Sequence, residues 1–153
     1  ETKVSEAMNK RTEGIMVRML QGVVDGVYNA EADVTMGKGF RVRRKYKFEN
    51  NIGGKTRTTQ NNSDGWFMGI TPKLVTCVWS GNEDRYAHFR STFYGQGANM
   101  ALPVWAEYMQ RVYNDSLELG IYPKDFDIPP SIDILLDCQA NKLGNENFTE
   151  EEF

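Results

Sequence analysis

Residues 52–67 constrain this chain more than any other stretch, because they read as strand, tight turn and strand in immediate succession. Gly53 and Gly54 open a run in which Lys55, Thr56, Arg57, Thr58 and Thr59 follow without a break, and hydroxyl residues of this kind favour a pleated backbone. Asn61, Asn62, Ser63, Asp64 and Gly65 form a dense turn signal, and Trp66 to Ile70 reads as a second strand. Side chains alternate along a strand, so Thr56 and Thr58 belong to one face and Lys55 and Arg57 to the other. Two hydroxyls and an ammonium along one short edge make a suitable cradle for a carboxylate.

The rest of the chain supplies an α+β frame, helices packed on an antiparallel sheet. Asn9 is placed to cap a helix over 9–24, with Ile15, Met16, Met19, Leu20, Val23 and Val24 as its apolar face. The spacing predicts a long loop over 25–39, a short basic-aromatic helix over 40–48, and strands over 52–59, 66–70 and 74–79 in a meander. A second helix is expected over 97–113, with Met100, Val104, Trp105, Tyr108, Met109 and Val112 at core spacing. From Tyr122 the chain reads as an extended tail with one short apolar element at 132–136, giving a main unit over 1–121 and a tail over 122–153. Three strands and two helices leave a sheet face or edge that wants covering.

At 153 residues and 40% apolar content the chain suits one globular domain. The net charge of −3 speaks against nucleic acid as the principal partner, so Arg41, Arg43, Arg44, Lys45 and Lys47 read as a solvated basic face. No apolar run approaches the ~20 residues of a membrane helix. Cys77 and Cys138 are far apart and read as buried or unremarkable thiols whose pairing the sequence leaves open, and with His88 the one histidine, no metal centre is expected. Gly54, Lys55 and Thr56 spell the end of a phosphate loop, but the glycine that motif needs five residues earlier is Glu49, and a strand and turn follow where a helix should.

Lys55, Thr56 and the following threonines closely resemble the Lys-Thr-Gly strand of penicillin-binding proteins, the serine transpeptidases that cross-link peptidoglycan. The likeness extends through Met19 to Val24, through Gly37, Lys38 and Gly39, from Thr58 to Phe67, from Val75 to Trp79, and from Gly95 to Trp105. It points to the C-terminal part of the transpeptidase domain of a bifunctional class A member, with the penicillin-binding and serine β-lactamase-like fold. The resemblance implies acyl transfer from D-Ala-D-Ala stem peptides through a serine nucleophile, and acylation of that serine by β-lactams. It assigns Lys55 to the serine network and the substrate carboxylate, gives Thr56, Thr58 and Thr59 substrate contacts, and makes the Thr58 N–H an oxyanion donor. It implies no cofactor, and it implies a parent at the outer face of the bacterial cytoplasmic membrane, anchored outside this sequence.

Two departures qualify the resemblance. No serine in the chain has a lysine three residues later, so the nucleophile must come from an upstream portion of the same domain, and this chain alone is expected to be catalytically silent. Ser80, Gly81 and Asn82 spell the family's Ser-x-Asn motif, but they follow the Lys55 strand and read as a strand end. The motif glycine is Arg57 here, which leaves open a non-catalytic structural or ligand-contacting role.

Overall fold

The computed structural model describes residues 7–29 and 32–128, and the expected apolar element at 132–136 and Cys138 lie outside them. Among the described residues, 20–127 form one compact unit, and 7–19 belong to another.

Helix α1 spans Lys10–Asp25, and the Asn9 side chain caps it by accepting the Thr12 N–H at 2.8 Å. Val24 is fully buried, whereas Met16 and Met19 are exposed, so the expected apolar face is only partly used. The predicted loop after α1 is instead an antiparallel hairpin of β1 (Val27–Asn29) and β2 (Val34–Met36). Gly26, at φ +79°, admits this hairpin close behind the helix: a Cβ there would lie 2.7 Å from Thr35 Cγ2. The basic-aromatic segment yields only one helical turn, α2 (Arg41–Arg44), after which Tyr46 and Phe48 turn inward.

Strands β3 (Gly53–Thr58), β4 (Asp64–Ile70) and β5 (Val75–Gly81) form the antiparallel meander in the order β3-β4-β5. Lys55 pairs with Met68 and Met68 with Cys77; Arg57 pairs with Trp66 and Trp66 with Trp79. A loop over 82–91 and the short α3 (Thr92–Gly95) lead into the long helix α4 (Gly97–Asn114), and α5 (Ser116–Leu119) follows.

One face of the sheet is packed against α4. Phe67 and Trp105, both fully buried, meet edge-on at 5.0 Å, and Trp105 Nε1–H donates to Thr76 Oγ1 at 2.6 Å. The buried stripe of α4 comprises Ala98, Ala101, Leu102, Trp105, Ala106, Met109 and Val112, while the predicted core residues Val104 and Tyr108 are exposed. The difference has a physical reason: alanines allow the helix backbone close to the strands, and Trp105 fills the space opposite Gly69, where a Cβ would lie 2.2 Å from the indole.

Candidate functional site at the open sheet face

The face of the sheet away from α4 carries Lys55, Arg57, Trp66, Met68, Cys77 and Trp79, all exposed. Cys77 is therefore a free surface thiol. Trp66 and Trp79 stand next to each other at 6.4 Å, and Arg57 extends their row onto the edge strand.

Alternation along β3 is as the sequence predicts, and it separates the candidate residues. The Lys55 ammonium lies on the open face and donates to the carbonyl of Thr56 at 2.7 Å. Thr56 is buried on the α4 side, 9% exposed. The Thr58 hydroxyl accepts the Gly97 N–H at 3.2 Å, which fastens the start of α4 to β3. Thr59 closes the turn: its N–H and hydroxyl both bond the Asp64 carbonyl, at 3.1 and 3.2 Å, and its hydroxyl also accepts the Asp64 N–H. The structure thus brings Lys55 and Arg57 together on one surface, uses the Thr58 oxygen as an acceptor for Gly97 and holds Thr59 in the turn. Ser80 and Gly81 end β5, and Asn82 Oδ1 accepts the Asp84 N–H, a strand-end turn as expected. Gly54, Lys55 and Thr56 lie inside a strand that continues to Thr58, which removes the phosphate-loop reading.

Glycines allow the close packing beneath this surface. A Cβ on Gly97 would lie 2.3 Å from the Trp66 carbonyl oxygen and 2.6 Å from that of Arg57, while a Cβ on Gly65 would lie 2.8 Å from Gly97 Cα. The first turn of α4 thus rests directly on the paired backbones of β3 and β4.

Two cavities adjoin β3. One, of about 720 Å³, lies over the open face and includes Lys55, Arg57, Met68 and Trp79. The other, of about 530 Å³, lies at the β3–β4 turn, and Arg57, Thr59 and Arg85 border both. Arg85 is a residue that sequence reasoning missed. It sits in the loop over 82–91, where Asp84 Oδ1 accepts the Tyr86 N–H at 2.9 Å and Asn62 is bonded to Phe89 through backbone and side chain. The Asn82-Glu83-Asp84 run was the available signal, a turn-former immediately before a cation.

Asp64 Oδ1 is buried with no hydrogen-bond partner among the described residues. No group of three or more His, Cys, Asp or Glu side chains among the described residues is placed to hold a metal ion.

A twisted three-stranded antiparallel sheet with a long helix across one face, and a Lys-Thr edge strand beside an uncovered face, defines a piece of a penicillin-binding transpeptidase fold. The chain belongs to the penicillin-binding protein family, as part of a class A member. It is 33% identical over 129 residues to penicillin-binding protein 1A of Escherichia coli (strain K12), covering 76% of this chain and 14% of that protein. Penicillin-binding protein 1A of Neisseria flavescens is 35% identical over 104 residues, covering 68% of this chain and 11% of the relative. The 2.6 Å crystal structure of penicillin-binding protein 1A from Haemophilus influenzae superposes with a TM-score of 0.54 at 27% identity, covering 72% of this chain and 15% of the other. The chain thus spans only a small part of the length of the relatives it matches. No protein-family model matches it. Among the described residues no helix is long and apolar enough to cross a membrane.

Proposed function

We propose that this chain supplies the Lys-Thr wall of a peptidoglycan D,D-transpeptidase cleft, in a parent protein working at the outer face of the bacterial cytoplasmic membrane. The observation that carries the reading is the joint placement of Lys55 and Arg57 on a sheet face that also exposes Trp66, Met68 and Trp79. Contiguous apolar surface rimmed by polar groups marks a site of association. Its proposed occupant is the upstream portion of the same domain, which would bring the serine nucleophile beside Lys55.

In the assembled cleft the Lys55 ammonium orients the serine network and attracts the terminal carboxylate of the stem peptide. Lys55 is exposed, so that attraction acts through a high dielectric until the upstream portion excludes water. The backbone N–H of Thr58 serves as one oxyanion donor. The Thr58 hydroxyl keeps its own proton while accepting from Gly97, and that proton remains able to donate to the substrate carboxylate. Thr56, being buried, contributes through the backbone it fixes, and Thr59 holds the turn. The reaction is serine acyl transfer, in which an acyl-enzyme is resolved by an amine; β-lactams acylate the same serine.

Arg57 supports a second reading, that the cleft is impaired or serves in binding alone. A long cation where the motif has glycine occupies space beside the nucleophile-bearing element, and overpacking of this kind costs about 1–3 kcal/mol. Acylation of the complete transpeptidase domain by a fluorescent penicillin tests both readings. Labelling that is accelerated in Arg57→Gly supports a transpeptidase cleft narrowed by the arginine. Equal labelling refutes the cost assigned to Arg57, and no labelling of either form refutes the catalytic reading.

A further inference from the structure

We infer that Arg57 and Arg85 form a second anion subsite beside Lys55, and that the cleft is built for a ligand carrying two carboxylates. The inference rests on the Lys55 cleft proposed above and adds the class of ligand that Arg57 selects.

The cavity at the β3–β4 turn has an unusual wall. Arg57 and Arg85 both border it, Tyr86 brings a hydroxyl, and Gln60 and Asn61 bring amides; no acidic residue lines it. Among the described residues neither arginine has a carboxylate within ion-pair distance. Guanidinium groups are planar forks of N–H donors that match a carboxylate, and hydroxyl and amide donors complete its lone pairs. The larger cavity over the open face also contains Lys55, Arg57 and Arg85, but there Asp64 and Glu83 offset them. An added anion therefore settles in the acid-free cavity, and Lys55 is left for a first carboxylate.

The two positions are connected. Arg57 lies two residues beyond Lys55 on the same face of β3, a step of about 6.6 Å along the strand. Arg57 also borders both cavities, so one extended ligand can reach from the Lys55 ammonium to the guanidinium pair. The loop backbone on either side of Arg85 is tied down. The Asp84 side chain fixes the Tyr86 N–H, and the Asn62–Phe89 hydrogen bonds tie the loop to the turn that carries Asn61. A ligand of this class is a peptide-like diacid whose carboxylates stand several bonds apart.

The test titrates adipate, and its monomethyl ester as a single-carboxylate control, into the full chain and into the complete transpeptidase domain. Binding is followed by the amide NMR signals of Thr58 and Asn61 in the chain and by competition with fluorescent penicillin in the domain. The diacid is expected to bind at least about tenfold more tightly than the monoester at low salt, with the advantage shrinking as ionic strength rises. Arg57→Gly and Arg85→Ala should each remove that advantage, Arg57→Lys should restore part of it, and Lys73→Ala, remote from both cavities, should leave it intact. Equal binding of the diacid and monoester, or retention of the advantage in both arginine variants, overturns the inference. Tighter binding of inorganic phosphate than of adipate overturns the assignment to a diacid. A diacid advantage without any penicillin labelling would refute the catalytic reading but not the subsite.

Discussion

Replacing Gly97 by alanine should loosen the site without touching any side chain that faces it. The added methyl would meet the Trp66 carbonyl oxygen at 2.3 Å, the Arg57 carbonyl oxygen at 2.6 Å and the Trp66 nitrogen at 3.0 Å. All three are backbone atoms inside paired strands, so no side chain can swing away, and the first turn of α4 must retreat by about 1 Å to reach ordinary contact. Overpacking costs about 1–3 kcal/mol. The retreat also breaks the Gly97 N–H bond to Thr58 Oγ1, a loss of about 1 kcal/mol. Alanine's better helix propensity returns less than about 1 kcal/mol. The net loss is about 1–4 kcal/mol, which at a urea dependence of about 2 kcal/mol/M shifts the unfolding midpoint down by about 0.5–2 M. Urea titration followed by tryptophan fluorescence measures it. The matched control is Gly22→Ala in α1, where a Cβ meets nothing within 4 Å and stability should rise by about 0.5–1 kcal/mol. A Gly97→Ala midpoint within experimental error of the unsubstituted chain would refute the proposed contact between α4 and the strand pair.

Tyr113 supplies a pH test. Burial raises its phenol above the usual 10.0, only partly offset by the hydrogen bond from Asn50 and the nearby Arg43 charge. The folded state thus favours the neutral phenol, so its contribution is complete below pH 10 and disappears as pH rises through the folded value. Tyr113→Phe should flatten the alkaline fall in urea stability while costing about 0.5–1.5 kcal/mol at neutral pH from the lost hydrogen bond. Cys77 offers a third test: in a Cys138→Ser background, maleimide labelling of the exposed thiol should be rapid in this chain and slow markedly once the upstream portion covers the sheet. Unchanged labelling would show that a different surface meets the rest of the domain.

How far the fold was legible depended on signal density. The meander from Gly53 to Gly81 was readable because short Asn/Gly and Pro turns separate strands with β-branched or aromatic residues. The hairpin of β1 and β2 was missed because its strands are three residues each and two glycines flank it, which is also how a loop looks. On α4 the expected stripe favoured the large residues Val104 and Tyr108, whereas the real contact uses Ala101 and Ala106, whose smallness is what the sheet requires. The side of β3 on which Lys55 and Arg57 stand followed from alternation alone. That the Thr58 oxygen accepts from Gly97 and the Thr59 hydroxyl bonds Asp64 did not, because those partners come from separate turns of the chain. Arg85 stayed hidden for the same reason: only the tertiary fold puts it on the same cavities as Arg57.

The inward positions of β3 are fixed by what lies beneath them, since a methyl on Gly54 would come within 2.9 Å of Val24 and 3.0 Å of Phe67. Position 57 is different. Its carbonyl supports the helix, but its side chain leaves the sheet on the open side. Substitution at this one position is therefore expected to change what can approach the open face while leaving the packing beneath the sheet untouched.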